Sequence, residues 1–350
     1  MARRALGPAT LRAVQALAAA ARDTAAPPRW LLGCSGGPDS LALAAAAVRV
    51  AAGRDDLRVG AVVVDHGLQP GSADAAARAA DAVRAIGLTD VVVRAAGPGP
   101  ADAGPEGAAR TARYAVLEEE AAAREADLLL GHTLDDQAET VLLGLLRGSG
   151  PRSLAAMAPR AGRRLRPFLG GDAPGLRRAD TEAVCAELGL DPWRDPHNAD
   201  PRFRRVAVRE RLLPALAALA DAPPDALTDA LVRTAALARD DADLLDELAD
   251  GLARECRTTE PTGPAGLRCA PLGPAPRALR TRVLRRWLVE AGAPEPALVH
   301  VRAVEALVTD WRGQRFVEVP GLRVRRAGDR LLAVPAGAGP SGVGGPEPVS

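Results

Sequence analysis

Four short apolar runs set the frame of this chain: WLLGCS from Trp30, VGAVVVDHG from Val59, DVVVRA from Asp90 and DLLLGH from Asp127. Alanine-rich helix formers from Leu41, Ala73 and Ala108 separate them. Short strands spaced by helices close as a parallel sheet, because parallel neighbours need a long crossover and the helices then cover both faces. The expected fold class is therefore α/β, a parallel sheet wrapped by helices, with ligands at the carboxyl ends of the strands.

The first run leads into SGGPDS, residues 35 to 40. An apolar strand, a sharp glycine loop and a helix start aim backbone N–H groups at one point, which attracts an anion such as phosphate. The chain contains no lysine, so all 45 basic residues other than histidine are arginine and the lysine-dependent GxxxxGK[ST] loop is excluded. The adjacent glycines do not fit GxGxxG either. Read as a plain turn, the stretch makes Asp39 or Ser40 the helix N-cap.

Each strand exit carries polar groups. Asp65 and His66 follow the second run and His132 follows the fourth, with Asp135, Asp136 and Glu139 on the next helix. Spacings of three and four put these carboxylates in one neighbourhood, where unopposed they repel. A nucleotide-borne Mg²⁺ relieves that repulsion, and so, in part, does the positive end of a helix. Arg110 and Arg113 share a helical face and suit bidentate capture of a phosphate or carboxylate.

At 350 residues with 47% hydrophobic content the chain is long enough for two domains. An N-terminal domain is expected over 1–220, a helical connector and linker over 221–276, a small α+β domain over 277–335 and a disordered tail over 336–350. Residues 225–257 carry nine acids against four arginines, whereas 277–330 carry twelve arginines against six acids. The latter balance suits a phosphate-rich partner. Cys34, Cys185, Cys256 and Cys269 form no CxxC and no metal-ligand spacing. With no signal peptide and no apolar run of 18 residues, a cytoplasmic protein without membrane contact is expected. The alanine excess is attributed to genome bias rather than to chemistry.

SGGPDS, VDHGLQPGSA, EGAARTARY, GHTLDDQAETVLLGLLRGSG and WRDPHN occur in an order and at a spacing that resemble the tRNA(Ile)-lysidine synthetase family of N-type ATP pyrophosphatases. SGGxDS marks only the wider group, and the block from Gly131 to Gly150 is far more specific. The stretch from Arg280 to Val334 also resembles that family's substrate-binding domain, so the likeness spans about residues 28–335. Two departures stand out: Val206 replaces the family's usual Asn, and arginine must serve wherever a relative uses lysine.

The resemblance implies a PP-loop fold of the adenine nucleotide alpha hydrolase type and a C–N bond-forming ligase. ATP adenylates the wobble cytidine of the CAU anticodon of an isoleucine tRNA, and free L-lysine then displaces AMP to give lysidine, converting AUG to AUA decoding. It further implies that Ser35, Gly36, Gly37, Pro38, Asp39, Ser40 and His66 bind ATP and that Asp39 and Asp136 help to place Mg²⁺. Arg110 and Arg113 face a phosphate or the activated base, so Asp39, Arg110, Arg113 and Asp136 form the expected catalytic set. Asp135 and Glu139 are alternative lysine-binding residues, and the sequence leaves the acids undivided between metal and lysine. Thiolating relatives that carry CxxC pairs and synthetases that need a glutaminase partner are disfavoured. A non-catalytic RNA-binding module of the same fold is the competing reading.

Overall fold

The computed structural model describes residues 6–23, 28–67, 71–97, 99, 104–171, 173–194, 202–258 and 266–336. The tail expected over 336–350 lies, except for its first residue, outside the described residues, as do residues 195–198 of WRDPHN and 68–70 of VDHGLQPGSA. The chain divides into two compact units, the first ending at Arg239 and the second beginning at Asp240.

In the first unit, helix α1 (Pro8–Ala20) precedes strand β1 (Arg29–Cys34), and α2 (Pro38–Ala51) leads to β2 (Arg58–Asp65). Then come α3 (Ser72–Ile86), β3 (Asp90–Ala95), α4 (Gly104–Ala123), β4 (Asp127–Leu129) and α5 (Leu134–Leu146). A short α6 (Pro151–Leu154) and the two-residue strands β5 (Arg160–Ala161) and β6 (Arg164–Leu165) precede α7 (Arg178–Leu188), α8 (Arg204–Ala207) and α9 (Leu213–Leu219). The strands lie in the order β3-β2-β1-β4-β6-β5, parallel except for β5. All four apolar runs are strands of this sheet, as their spacing predicts.

Alternation along each strand builds the two layers. Trp30, Leu32, Ala61 and Val63 pack with α1, α2, α3 and α7, while Leu31, Val62 and Leu128 pack with Leu117 and Ala121 of α4. Ala42 and Ala44–Ala47 are wholly buried, so α2 is covered on nearly every side. Small side chains let α1 and α7 approach it closely, which gives the alanine run a packing role beyond base composition.

The second unit begins within the long helix α10 (Pro224–Cys256) and continues through β7 (Leu267–Arg268), α11 (Cys269–Leu272), α12 (Arg277–Glu290) and α13 (Leu298–Thr309). Strands β8 (Val317–Val319), β9 (Leu322–Ala327) and β10 (Arg330–Pro335) complete an antiparallel sheet in the order β7-β10-β9-β8. Its core joins Ala249 and Cys256 of α10 to Leu284, Trp287, Val304, Val324 and Leu331. The expected connector is thus divided: the end of α10 belongs to this core. The C-terminal part of the expected connector and linker over 221–276 likewise contributes Leu267, Cys269 and Leu272 as buried residues, because apolar side chains at those positions have a sheet and two helices to pack against.

Candidate active site

A cavity of about 300 Å³ opens where β1, β2 and β4 end, bounded by SGGPDS, Asp65, His66, Arg113, Tyr114, His132, Asp136 and Trp193. β1 is the strand from which the chain proceeds to either side, the switch point at which open parallel sheets bind ligands.

The glycine loop is shaped by close approach. Gly36 has φ +79°, and a Cβ there would lie 2.9 Å from the Ala79 Cβ. A Cβ on Gly131 would fall 2.8 Å from the Asp39 carbonyl oxygen, so the end of β4 presses on the start of α2. Gly37, rather than Asp39 or Ser40, is the N-cap of α2, and no side chain caps it. The Ser40 hydroxyl turns back instead, donating to the Gly37 carbonyl at 2.9 Å and accepting from the Ser35 amide at 3.3 Å. The first-turn amides of Asp39 and Ser40 have no acceptor within the helix, the condition that makes a helix start an anion site.

Asp39 is half-buried, and its pKa is pushed up to about 6 by desolvation and by the charges of Asp136 and Asp135, against a hydrogen bond from Thr181 and the charge of Arg178. Burial works against ionisation of Asp136 too, but Arg178, the Thr133 amide and Arg205 hold its pKa below the ordinary carboxylate value. Its Oδ2 accepts from the Thr133 amide at 2.9 Å, so Asp136 closes the capping box of α5 while facing the cavity. Burial drives His132 down to about 3, so it is a neutral imidazole.

The structure brings Ser35, Gly37, Asp39, Ser40, His66, Arg113 and Asp136 to one cavity wall or another, with Gly36 and Pro38 shaping the loop between them. It places Arg110, Asp135 and Glu139 behind that lining. Arg110 donates to the Tyr114 hydroxyl at 3.4 Å. Asp135 Oδ2 accepts from the Arg178 amide at 2.8 Å. Glu139 is fully buried against the guanidinium groups of Arg209 at 2.7 Å, Arg178 at 3.4 Å and Arg205 at 3.6 Å. The acidic group is therefore not the unopposed one that spacing suggests: three arginines answer it, and a lysine ammonium reaching Glu139 would have to replace one of them.

Arg178, Thr181 and Tyr114 are absent from the expected site set. Arg178 opens a helix, where the macrodipole disfavours a cation, and that misfit is the sequence signal that it serves something else. Tyr114 is the chain's single tyrosine; it directly follows Arg113 and lies one helical turn after Arg110. Thr181 gives no such signal. Trp193, at the start of WRDPHN, donates its amide to the Gly36 carbonyl at 2.9 Å and lies under the Arg78 guanidinium, which ties that segment to the glycine loop.

The family described as PP-loop domain matches residues 10–216, and the TilS substrate binding domain matches residues 267–332. The tRNA(Ile)-lysidine synthase of Thermobifida fusca is 50% identical over 320 residues, 91% of this chain and 94% of that one. This chain belongs to the tRNA(Ile)-lysidine synthase family. The Leifsonia xyli and Streptomyces coelicolor members are each 49% identical, covering 87% of this chain and 89% and 85% of their own. The U34-tRNA thiolase NcsA of Methanococcus maripaludis shares the fold, with a TM-score of 0.52 at 17% identity over 66% of this chain and 78% of its own. Val206, the departure from the family's Asn, is buried in α8.

In the second unit, Trp287 is core, whereas Trp311 and Phe316 are exposed. The Arg326 guanidinium lies 4.9 Å from the Trp311 ring and that of Arg323 lies 5.0 Å from Phe316. Flat cationic stacks of this kind suit RNA.

Proposed function

We propose that this protein ligates free L-lysine to the wobble cytidine of an isoleucine tRNA with a CAU anticodon, at the expense of ATP. The observation that carries the reading is an uncapped helix start beside a half-buried carboxylate pair, Asp39 and Asp136, in a chain of this family. The 2-carbonyl oxygen of cytidine attacks the α-phosphorus of ATP and pyrophosphate leaves. The lysine amine then attacks C2, the C2–O bond breaks, AMP departs with that oxygen, and the amine gives up a proton.

The residues supply position and charge. Amides of Gly37, Asp39 and Ser40 hold phosphoryl oxygens, which gain charge as pyrophosphate leaves. His66 and Trp193 wall the nucleotide. Two carboxylates facing one cavity, one of them raised in part by the other, fit a hard cation, and Asp39 and Asp136 would hold Mg²⁺. When bound, that ion neutralises phosphate charge. The basic second unit, with Trp311 and Phe316, meets the tRNA. No helix among the described residues is long and apolar enough to cross a membrane, and a tRNA-modifying enzyme of this kind works in the cytoplasm.

Labelled lysine, a CAU isoleucine tRNA transcript, ATP and Mg²⁺ test the reading, with methionine tRNA as control. ATP-dependent label in the isoleucine tRNA alone is expected. Pyrophosphate release without label in that tRNA would leave an ATP pyrophosphatase of another specificity.

A further inference from the structure

Tyr114 is the hub of an arginine cluster that no carboxylate among the described residues balances. Guanidinium carbons of Arg110 and Arg113 lie 5.1 Å and 5.7 Å from its ring centroid, within cation–π range. Its hydroxyl is 3.4 Å from Arg110 Nη2 and 3.4 Å from His132 Nε2, and Arg166 lies near enough for the two side chains to interact electrostatically. Arg166 is only 6% exposed; its Nη1 donates to the Ala158 carbonyl at 2.9 Å and its buried Nε has no partner.

Among the described residues, none of these three arginines forms an ion pair. Other partly buried arginines are matched: Arg178, Arg205 and Arg209 by Glu139, and Arg280 by Glu305. Burial lowers the pKa of both Arg113 and Arg166, and Arg110 adds repulsion to each, so the cluster stands at a cost that an anion removes. His132, neutral and with a buried Nδ1 lacking a partner, adds no negative charge.

Arg113, Tyr114 and His132 line the same cavity as Asp39 and Asp136, so that cavity has an acidic side and a basic side. We propose that the basic side is the receptor for the carboxylate of the lysine substrate: Arg113 contacts it directly, and Tyr114 and Arg166 are positioning residues. This rests on the proposed function. The phosphates already have the α2 amides, whereas a planar guanidinium matches a carboxylate in two parallel hydrogen bonds. A small terminal anion, unlike a backbone phosphodiester, fits against a half-buried arginine inside about 300 Å³.

The test is equilibrium binding of labelled lysine and labelled lysinamide, which lacks the carboxylate, to the full chain with ATP and Mg²⁺. The wild type is expected to prefer lysine by about 10- to 100-fold, the worth of a charged hydrogen-bonded pair. Arg113→Gln should abolish the preference by weakening lysine alone, and Arg113→Lys should restore part of it, with thermal melting unchanged. Tyr114→Phe should raise the KM for lysine with kcat and the KM for ATP retained. Equal binding of lysine and lysinamide by the wild type overturns the assignment, whether or not the chain is active on tRNA. So does an Arg113→Gln protein that keeps the preference but loses ATP. Lysine preference without label transfer to the isoleucine tRNA would instead count against the proposed function alone.

Discussion

Thr181 of α7 hydrogen-bonds the Oδ1 of Asp39 in the first turn of α2, joining residues 142 positions apart at the mouth of the glycine loop. The bond fixes the carboxylate of Asp39 while its neighbour Asp136 is fixed by the capping box of α5 and by Arg178 at 3.2 Å. Two acids that repel are thus each restrained from outside the pair.

Asp39→Asn removes the charge while leaving an acceptor for Thr181. Pyrophosphate release should fall about 100-fold or more, the usual loss when a preorganised charge-stabilising group is removed. Filter binding of tRNA should be unchanged. Turnover at the wild-type rate would favour a binding module that does not use this site for chemistry.

Chelation of divalent ions should stop pyrophosphate release. Asp136→Asn should raise the Mg²⁺ concentration needed for half-maximal release by about tenfold or more. An unaltered Mg²⁺ requirement in that variant would assign Asp136 to the helix cap and the Arg178 pair alone.

Gly36→Ala should destabilise the first unit by about 1–3 kcal/mol, because φ +79° is strained for alanine and its Cβ would meet Ala79 at 2.9 Å. Gly37 has φ −75°, and its Cβ would find nothing nearer than 3.6 Å. Gly37→Ala should therefore keep its denaturation midpoint and lose affinity only for ATP. Urea melts and nucleotide titration of the two variants separate these effects.

Glu139→Gln should cost about 3–5 kcal/mol, since Arg178, Arg205 and Arg209 are left partly buried around a neutral amide. Chemical denaturation reads this directly. A full loss of lysine binding at undiminished stability would give Glu139 to the substrate.

Glu187 of α7 caps a different helix. Its carboxylate accepts from the Ala9 amide at 3.0 Å, the Thr10 amide at 2.8 Å and the Thr10 hydroxyl at 2.6 Å, where Gly7 offers α1 no side-chain cap. Slight desolvation opposes ionisation, but these three donors hold the pKa below 4.5. The native form is the better acid, so the cap's contribution is present above that value and disappears as pH falls through the depressed one. Glu187→Ala should cost about 1 kcal/mol at pH 7 and progressively less as the pH is lowered through the depressed pKa, as compared by urea melts.

Much of the sheet and of the cavity was legible beforehand. The strands announced themselves because a strand buried on both faces must be apolar almost throughout, and SGGPDS did so because only glycine tolerates φ +79° against Ala79. The domain limits were less legible. The end of α10 looks like an acidic, solvated helix, yet Ala249 and Cys256 on its inner face belong to the second core, and composition averages over faces. Small apolar residues at Leu267, Cys269 and Leu272 were hidden among prolines and glycines in the same way.

The sequence by itself determined which residue types stand at each strand exit and on the turns just after it, since a strand followed at once by a helix carries its loop to the carboxyl edge of the sheet whatever else the chain does. Only the tertiary structure decided which charges meet. Asp135, Asp136 and Glu139 are close in sequence and looked like one acidic group, but α7 and α8 bring Arg178 and Arg205 to them, and the turn after α8 brings Arg209. Among the described residues Arg110, Arg113 and Arg166 receive no carboxylate partner. Local spacing fixes neighbours on one helix, whereas burial and the approach of distant helices fix whether a charge is already balanced, and that balance separates a structural ion pair from a binding site.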